Sequence, residues 1–398
     1  MKELKQIFVK NRVKVAVIIA VCLATLALVM YRLGTLTAGV SSGELAVANT
    51  PIGWSGIYNQ PLFLPLDVAR SIIFFIFDDS GALLLRSPNA FLGLVTIACM
   101  AYVIKRWHGT RTAIFGTVLF ATSAWFLHVS RLASNDVMYL LAIPLLIATG
   151  IAISRNSNKA IVFYGTAFIW GLLLYIPGLF WLVALTIFWQ RKYIKAGWLH
   201  FKALWQRFLY VFIGLFWLPL LANYLLRSRD ILGWLGAPYD YATPLVIVKD
   251  FLAVFVHLFI RGPQYPEMWM GQLPVLNIFI LICCIVGIYF YARNIKASRT
   301  RQLFSYFGVG LLLVGINRAI GLSLLVPLMF IFAATGVAYL LREWLKVFPN
   351  NPFARSLGIT IICIAVGLSA IYGIRSYFVA WPHNPNTKTI FAYDPAKQ

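Results

Sequence analysis

The segment HVSRLASND, His128–Asp136, sets Arg131 and Asp136 five positions apart, between the end of one long apolar run and the start of the next. A guanidinium grips a phosphate or carboxylate through a rigid fork of donors, and a carboxylate takes a proton from a hydroxyl. Charge at membrane depth is costly and persists mainly where it lines a cavity or a substrate path, so the two are candidates for a working site. They could equally do no more than brace a hairpin by pairing with each other. Glu44 and Asp250 also abut apolar runs, as do the cations Lys249, Arg261 and Arg318. Arg86 and Arg318 have a bland reading as helix-end residues that snorkel to the interface. His128 and His257 have no metal-ligand company and read as satisfied interfacial histidines, so no metal site is expected.

These residues need elements that hold them at one level of a membrane. Of the 398 residues 61% are hydrophobic and 12% charged, with a mean hydropathy of +0.81, too apolar for a soluble domain of this length. Apolar runs recur at about 13–31, 86–104, 112–130, 137–153, 160–174, 177–189, 208–226, 273–292, 303–317, 320–341 and 356–375. They predict an all-α polytopic bundle of about 11 transmembrane helices, forming one domain over 1–398 with no separate soluble part. The first run follows a basic start, as a signal peptide would. It has spanning length and ends on the interfacial anchor Tyr31–Arg32, so it is read as a retained helix. Tyr175–Gly178 reads as a turn between two runs. Cys22, Cys99, Cys283, Cys284 and Cys363 all lie inside apolar runs and read as small packing residues.

A net charge of +22 does not point to nucleic acid, because Lys and Arg are confined to loops between the runs. With the N-terminus inside, the cytoplasmic segments are MKELKQIFVKNR, KRWHGTR, SRNSNK, QRKYIKAGWLHFKALWQR, ARNIKASRTRQ and LREWLKVFPNNPFARS, each basic as the positive-inside rule requires. Only Glu3 and Glu343 join them. Glu44, Asp67, Asp78, Asp79, Asp136, Asp230, Asp240, Asp250, Glu267 and Asp394 fall outside. Asp78, Asp79 and Asp394 are expected to be plain solvated acids, whereas Glu44, Asp136 and Asp250 sit at the level of the outer leaflet. Two outer loops are long, 32–85 and 227–272. Their stretches YNQPLFLPLDVARSIIFFIF and PLVIVKDFLAVFVHLFIRGP each predict a helix lying along the membrane surface. Two such helices over the mouth of a bundle make an apolar groove with charged edges, suited to a lipid that carries a phosphate.

The order of these features resembles the GT-C glycosyltransferases, in the branch of the protein O-mannosyltransferases and the lipid A aminoarabinose transferase. The resemblance is carried by RSPNAFLGL at Arg86–Leu94, KRWHG at Lys105–Gly109, HVSRLASND, and NRAIGLSLLVPLMFIFAATG at Asn317–Gly336. It covers most of the chain in order. It implies a GT-C-like bundle and transfer of a sugar from a polyprenyl-phosphate donor to a lipid, glycan or protein acceptor at the outer face. Family members carry an Asp-Glu pair in the first outer loop, the Asp being the base. The matching place is SSGELAVAN, where the Asp position is Gly43 and Glu44 keeps the second acid. The Lys-Pro-Pro-Leu-type donor motif of the family reads Asn59, Gln60, Pro61, Leu62, so Gln60 offers a hydrogen bond without charge.

Release of a sugar from phosphate needs no strong general acid, because phosphate leaves as a stable anion; the acceptor hydroxyl needs a base and the departing charge needs donors. Glu44 or Asp136 is expected as base, and Arg131, Lys249, Arg261 or Arg318 as phosphate ligand, with Gln60 beside the donor. A single displacement inverts the anomeric centre; a carboxylate pair would permit a retaining route. No P-loop, dinucleotide fingerprint or hydrolase elbow is present, so the donor is expected to be a lipid and no cofactor is expected. Membrane lipids and the donor are the expected partners, in a bacterial-type cell membrane with the site and C-terminus outside. Two other readings stand beside this one. A catalytically degenerate relative that binds a polyprenyl lipid or a partner follows from Gly43 and Gln60; a secondary transporter would need internal repeats, and none is visible.

Overall fold

The computed structural model describes residues 12–48, 61–77, 81–201, 203–214, 220, 230–238 and 243–393. Among them the secondary structure is helical, apart from isolated bridges at Val40–Tyr393 and Met270–Gln272. The helices are α1 Arg12–Met30, α2 Ser42–Ala48, α3 Leu64–Phe77, α4 Ala82–His108, α5 Thr110–Ala121, α6 Ala124–Arg131, α7 Asp136–Asn156 and α8 Ala160–Leu173. There follow α9 Leu179–His200, α10 Leu204–Gly214, α11 Asp230–Leu235, α12 Pro244–Phe259, α13 Ile278–Arg293, α14 Ser298–Ile316, α15 Val326–Val347, α16 Pro352–Arg375, α17 Trp381–His383 and α18 Pro385–Ile390.

Helices stand where the apolar runs predict them, with 208–226 described only to Gly214 and at Leu220. By length and composition alone, four stretches among the described residues are of spanning size: Ala82–His108, Asp136–Asn156, Leu322–Val347 and Pro352–His383. The run expected as one span at 112–130 is instead broken: α5 and α6 meet at 63° and would make a fifth only as a bent pair. The cause is local. Thr122 ends α5, and the Ser123 side chain accepts from the Phe126 N–H, starting a new helix with its own cap. Gly109 at φ 91° and Gly178 at φ 77° make the turns between α4 and α5 and before α9, in a region L side chains rarely adopt.

The core is built around α15, which is buried from Val326 to Val337 and packs along α13 on one side and α5 on another. Close approach depends on small residues: a Cβ at Gly287 would overlap the Phe332 carbonyl, one at Gly336 the Cys283 carbonyl, and one at Gly116 the Ala334 side chain. Such backbone contact is how helices gain packing energy in lipid, where apolar burial between helices adds little. The outer helices turn apolar side chains outward, among them Ile161, Phe188, Ile282, Ile361 and Leu368. This pattern, with apolar groups on both faces of the bundle, suits a multi-pass membrane protein and no water-soluble one.

Both surface helices predicted for the long loops are present. On α3, Leu66 and Arg70 face inward while Phe75 at the other end is 90% exposed. On α12, Leu245, Val248, Leu252 and Val256 form an exposed apolar stripe, while Val254 and Leu258 are buried and Phe251 packs on Gly315 of α14. An apolar stripe on the outer side of a helix at the mouth of a bundle is the mark of a helix lying in the membrane surface.

Candidate functional site

The site is assembled at the end of the bundle opposite the basic turns, where α2, the start of α4, the α6–α7 loop, the loop after α12 and the turn before α15 meet. Its buried anchor is Glu44. Ser41 and Glu44 form a capping box for α2: the Glu44 N–H donates to Ser41 Oγ at 3.1 Å, and the Ser41 N–H to Glu44 Oε2 at 3.1 Å. Arg86 meets the same carboxylate with both arms of its fork, Nε to Oε1 at 2.8 Å and Nη2 to Oε2 at 2.7 Å, and the Ala133 N–H adds a further bond to Oε1 at 2.9 Å. Arg86 therefore does not snorkel; it is buried and also donates to the Leu33 and Gly39 carbonyls and to Thr37. Glu44 accepts from four donors and ties α2, α4 and the α6–α7 loop together.

Two neighbours complete this brace. Asn89, one turn beyond Arg86 on α4, donates to the carbonyls of Leu132 and Ser134. Arg70 of α3 reaches in from the surface to Asp67, Asn135, Asn89 and the Ser134 carbonyl. Burial raises the Asp67 carboxyl above its usual range against the opposing pull of Arg70, and the same burial holds the Arg70 guanidinium down to about 10. Surface helix and bundle are thus locked through polar bonds rather than greasy contact alone.

Arg131 does not pair with Asp136. Its Nη1 donates to the Leu28 carbonyl at 3.1 Å and its Nη2 to the Tyr31 carbonyl at 2.6 Å, with the rings of Tyr377 and Phe378 over the guanidinium. These are the orphan carbonyls at the end of α1, where a cation also complements the helix dipole. The geometry makes Arg131 the cap of α1.

The acid that the sequence reading left without a role is Glu267, in GPQYPEMWM after α12. Its Oε1 accepts from the Gly43 N–H at 2.6 Å and from Ser41 Oγ at 3.0 Å. A Cβ on Gly43 would overlap the Glu267 carboxylate, so glycine at 43 and the acid at 267 fit one another. The fully buried His128 donates from Nε2 to the Glu267 carbonyl at 2.8 Å, and because a carbonyl only accepts, that nitrogen carries the proton. Only the outer-face acid count hinted at Glu267, since its partners lie more than two hundred residues away in the chain.

Asp136 opens α7 half-buried, with no hydrogen-bond partner among the described residues, in electrostatic reach of Glu267. Its carboxylate lies where a Cβ of Gly321 would be. On either side of Gly321, Ile320 and Leu322 line a cavity of about 330 Å³, whose other walls include His257, Gln264, Tyr265, Asp250 and Arg318. Arg318 clamps Asp250 with two arms, Nε to Oδ2 at 2.7 Å, and its Nη1 has no partner among the described residues. Lys249 and Arg261 are exposed on the same surface segment. Gln60 lies outside the described residues. Among the described residues no three His, Cys, Asp or Glu side chains converge as a metal ion would need.

No family model and no curated protein sequence matches the chain. Solved structures do. ArnT from Cupriavidus metallidurans, bound to undecaprenyl phosphate, superposes with a TM-score of 0.60 over 94% of this chain and 78% of that one, at 11% identity. The fold is GT-C-like. The archaeal oligosaccharyltransferase AglB from Archaeoglobus fulgidus, in complex with an inhibitory peptide and a dolichol-phosphate, gives a TM-score of 0.51 at 13% identity over 91% of this chain. The A. fulgidus oligosaccharyltransferase tethered to an acceptor peptide gives 0.54 at 13% identity over 94%. This chain spans 56% of the length of each of these two.

Proposed function

We propose that this chain, acting as one unit, transfers a sugar from a polyprenyl-phosphate donor to an acceptor hydroxyl at the mouth of the bundle. The observation that carries the reading is the cavity between α12 and the Asn317–Leu322 turn, which has the Arg318 guanidinium on one wall and whose lining residues Ile320 and Leu322 flank Gly321, the residue against which the Asp136 carboxylate packs. Its volume suits the head of a glycosyl phosphate, at the small end of ordinary ligand pockets. The apolar stripe of α12 beside it gives a polyprenyl tail a lipid-facing path. Two proteins of the same fold were solved with undecaprenyl phosphate and with dolichol-phosphate, which supports a lipid of that class here.

The acceptor oxygen attacks the anomeric carbon, the bond from that carbon to the phosphate oxygen breaks, and the electron pair leaves on phosphate. Arg318 holds the phosphate through its uncommitted arm, with Lys249 and Arg261 adding charge from the same segment, and stabilises the anion as it forms. A carboxylate at the cavity edge takes the hydroxyl proton. Glu44 has its lone pairs filled by Arg86 and two backbone N–H groups, so it shapes the site instead.

Radiolabelled polyprenyl-phosphate sugars offered to the purified protein in lipid nanodiscs test the reading. One donor is expected to be consumed, and Arg318→Ala is expected to weaken its binding by roughly tenfold or more, the worth of a charge-assisted bond. Binding of a donor that is never cleaved, across a panel of sugars, would leave a lipid-binding relative as the better account.

A further inference from the structure

We infer that the proton acceptor of this site is Glu267, a carboxylate brought to α2 from the loop after α12 and seated in the volume that a side chain on residue 43 would fill. The inference rests on the transferase reading above and adds to it a residue and a reason for Gly43.

The outer-face carboxylates that the structure describes differ in how they are bonded. Glu44 is saturated by its ion pair and backbone donors, Asp67 is held by Arg70, and Asp250 by both arms of Arg318. Asp136 has no donor among the described residues and lies within electrostatic reach of Glu267. Glu267 combines the two properties a base needs. Two donors on Oε1, the Gly43 N–H and Ser41 Oγ, fix its direction, while Oε2 has no partner among the described residues.

Position is secured from behind. His128 holds the Glu267 backbone carbonyl from inside the bundle, and Trp381 and Tyr377 pack on the imidazole. Two residues before Glu267, Tyr265 lines the cavity that receives the glycosyl phosphate, so the loop that carries the acid also forms a wall of that cavity. Proton balance is complete within the site: the acceptor O–H proton passes to Glu267 Oε2, the oxygen bonds the anomeric carbon, and the polyprenyl phosphate departs as an anion that needs no proton. Gly43 follows from the same geometry. A Cβ there would overlap the carboxylate, so a side chain at 43 would move Glu267 from its present seat.

That overlap supplies the test. Glu267→Gln keeps an oxygen for Ser41 and Gly43 and removes only the base; it is expected to lower kcat by about 10²- to 10⁴-fold, with donor binding and thermal melting unchanged, and to abolish the acid limb of the pH–rate profile. Glu267→Ala is expected to be equally slow. Gly43→Asp added to Glu267→Ala places a carboxylate in the emptied volume and is expected to recover at least tenfold of the lost rate, whereas Gly43→Asn in the same background recovers none. Wild-type turnover with Glu267→Gln within threefold of it overturns the assignment and leaves the transferase reading standing. Failure of Gly43→Asp and Gly43→Asn to differ overturns the claim that the two positions share one volume for a base. Absence of donor cleavage by the wild type removes the transferase reading and this assignment with it.

Discussion

Arg86 and Glu44 show how far a residue's neighbours in sequence can differ from the partners the fold gives it. SSGELAVAN contains no cation, so Glu44 looks free for chemistry, and Arg86, next to an apolar run, looks ready to snorkel; the fold brings them together from 42 residues apart. The signature of a capping box, Ser41-x-x-Glu44, was legible and points to a structural acid. Arg131 was legible as a buried cation, but the α1 carbonyls that it serves lie a hundred residues away. The geometry predicts that Glu44→Ala, which leaves Arg86 buried without its counter-charge, costs about 3–5 kcal/mol of stability. A melt of the purified variant in detergent checks it: a large drop in melting temperature is expected, and a wild-type melt with lost turnover would return Glu44 to the role of base.

At the scale of elements the apolar runs located the helices well, because spanning helices must satisfy every backbone group internally and so write long uninterrupted runs. Both surface helices were legible for a related reason: α3 and α12 carry charges inside otherwise apolar stretches. The break between α5 and α6 was not, since Thr122–Ser123 reads as ordinary small polar residues inside a run until Ser123 is seen capping Phe126. Nor does hydropathy reveal which helices touch. That information sits in the glycines, where Gly287 and Gly336 let α13 and α15 approach backbone to backbone. Gly336→Leu is expected to force these helices apart and destabilise the bundle by at least about 1–3 kcal/mol, the ordinary cost of overpacking. Gly367, with open space around it, is the matched control, and Gly367→Leu is expected to melt as wild type does. Equal melts for the two variants would refute the close contact.

For the whole molecule, the asymmetry of charge was the most informative feature in the sequence: basic loops on one side, acids on the other. The structure gathers Glu44, Asp67, Asp136, Asp250 and Glu267 with their partners around one mouth, beneath a surface helix with an exposed apolar stripe and beside a cavity lined by Arg318. What one chain of letters could not give was the convergence itself, because it joins loops from residues 41, 133, 267 and 321, each meaningless alone. The account as a whole stands on transfer from a lipid-linked sugar at that mouth. The most direct measurement follows both products at once in proteoliposomes that hold a polyprenyl-phosphate sugar and a hydroxyl acceptor: free polyprenyl phosphate and glycosylated acceptor. The account predicts that both appear together in equal amounts. Polyprenyl-phosphate sugar that stays intact while the acceptor gains sugar from a nucleotide donor would contradict it.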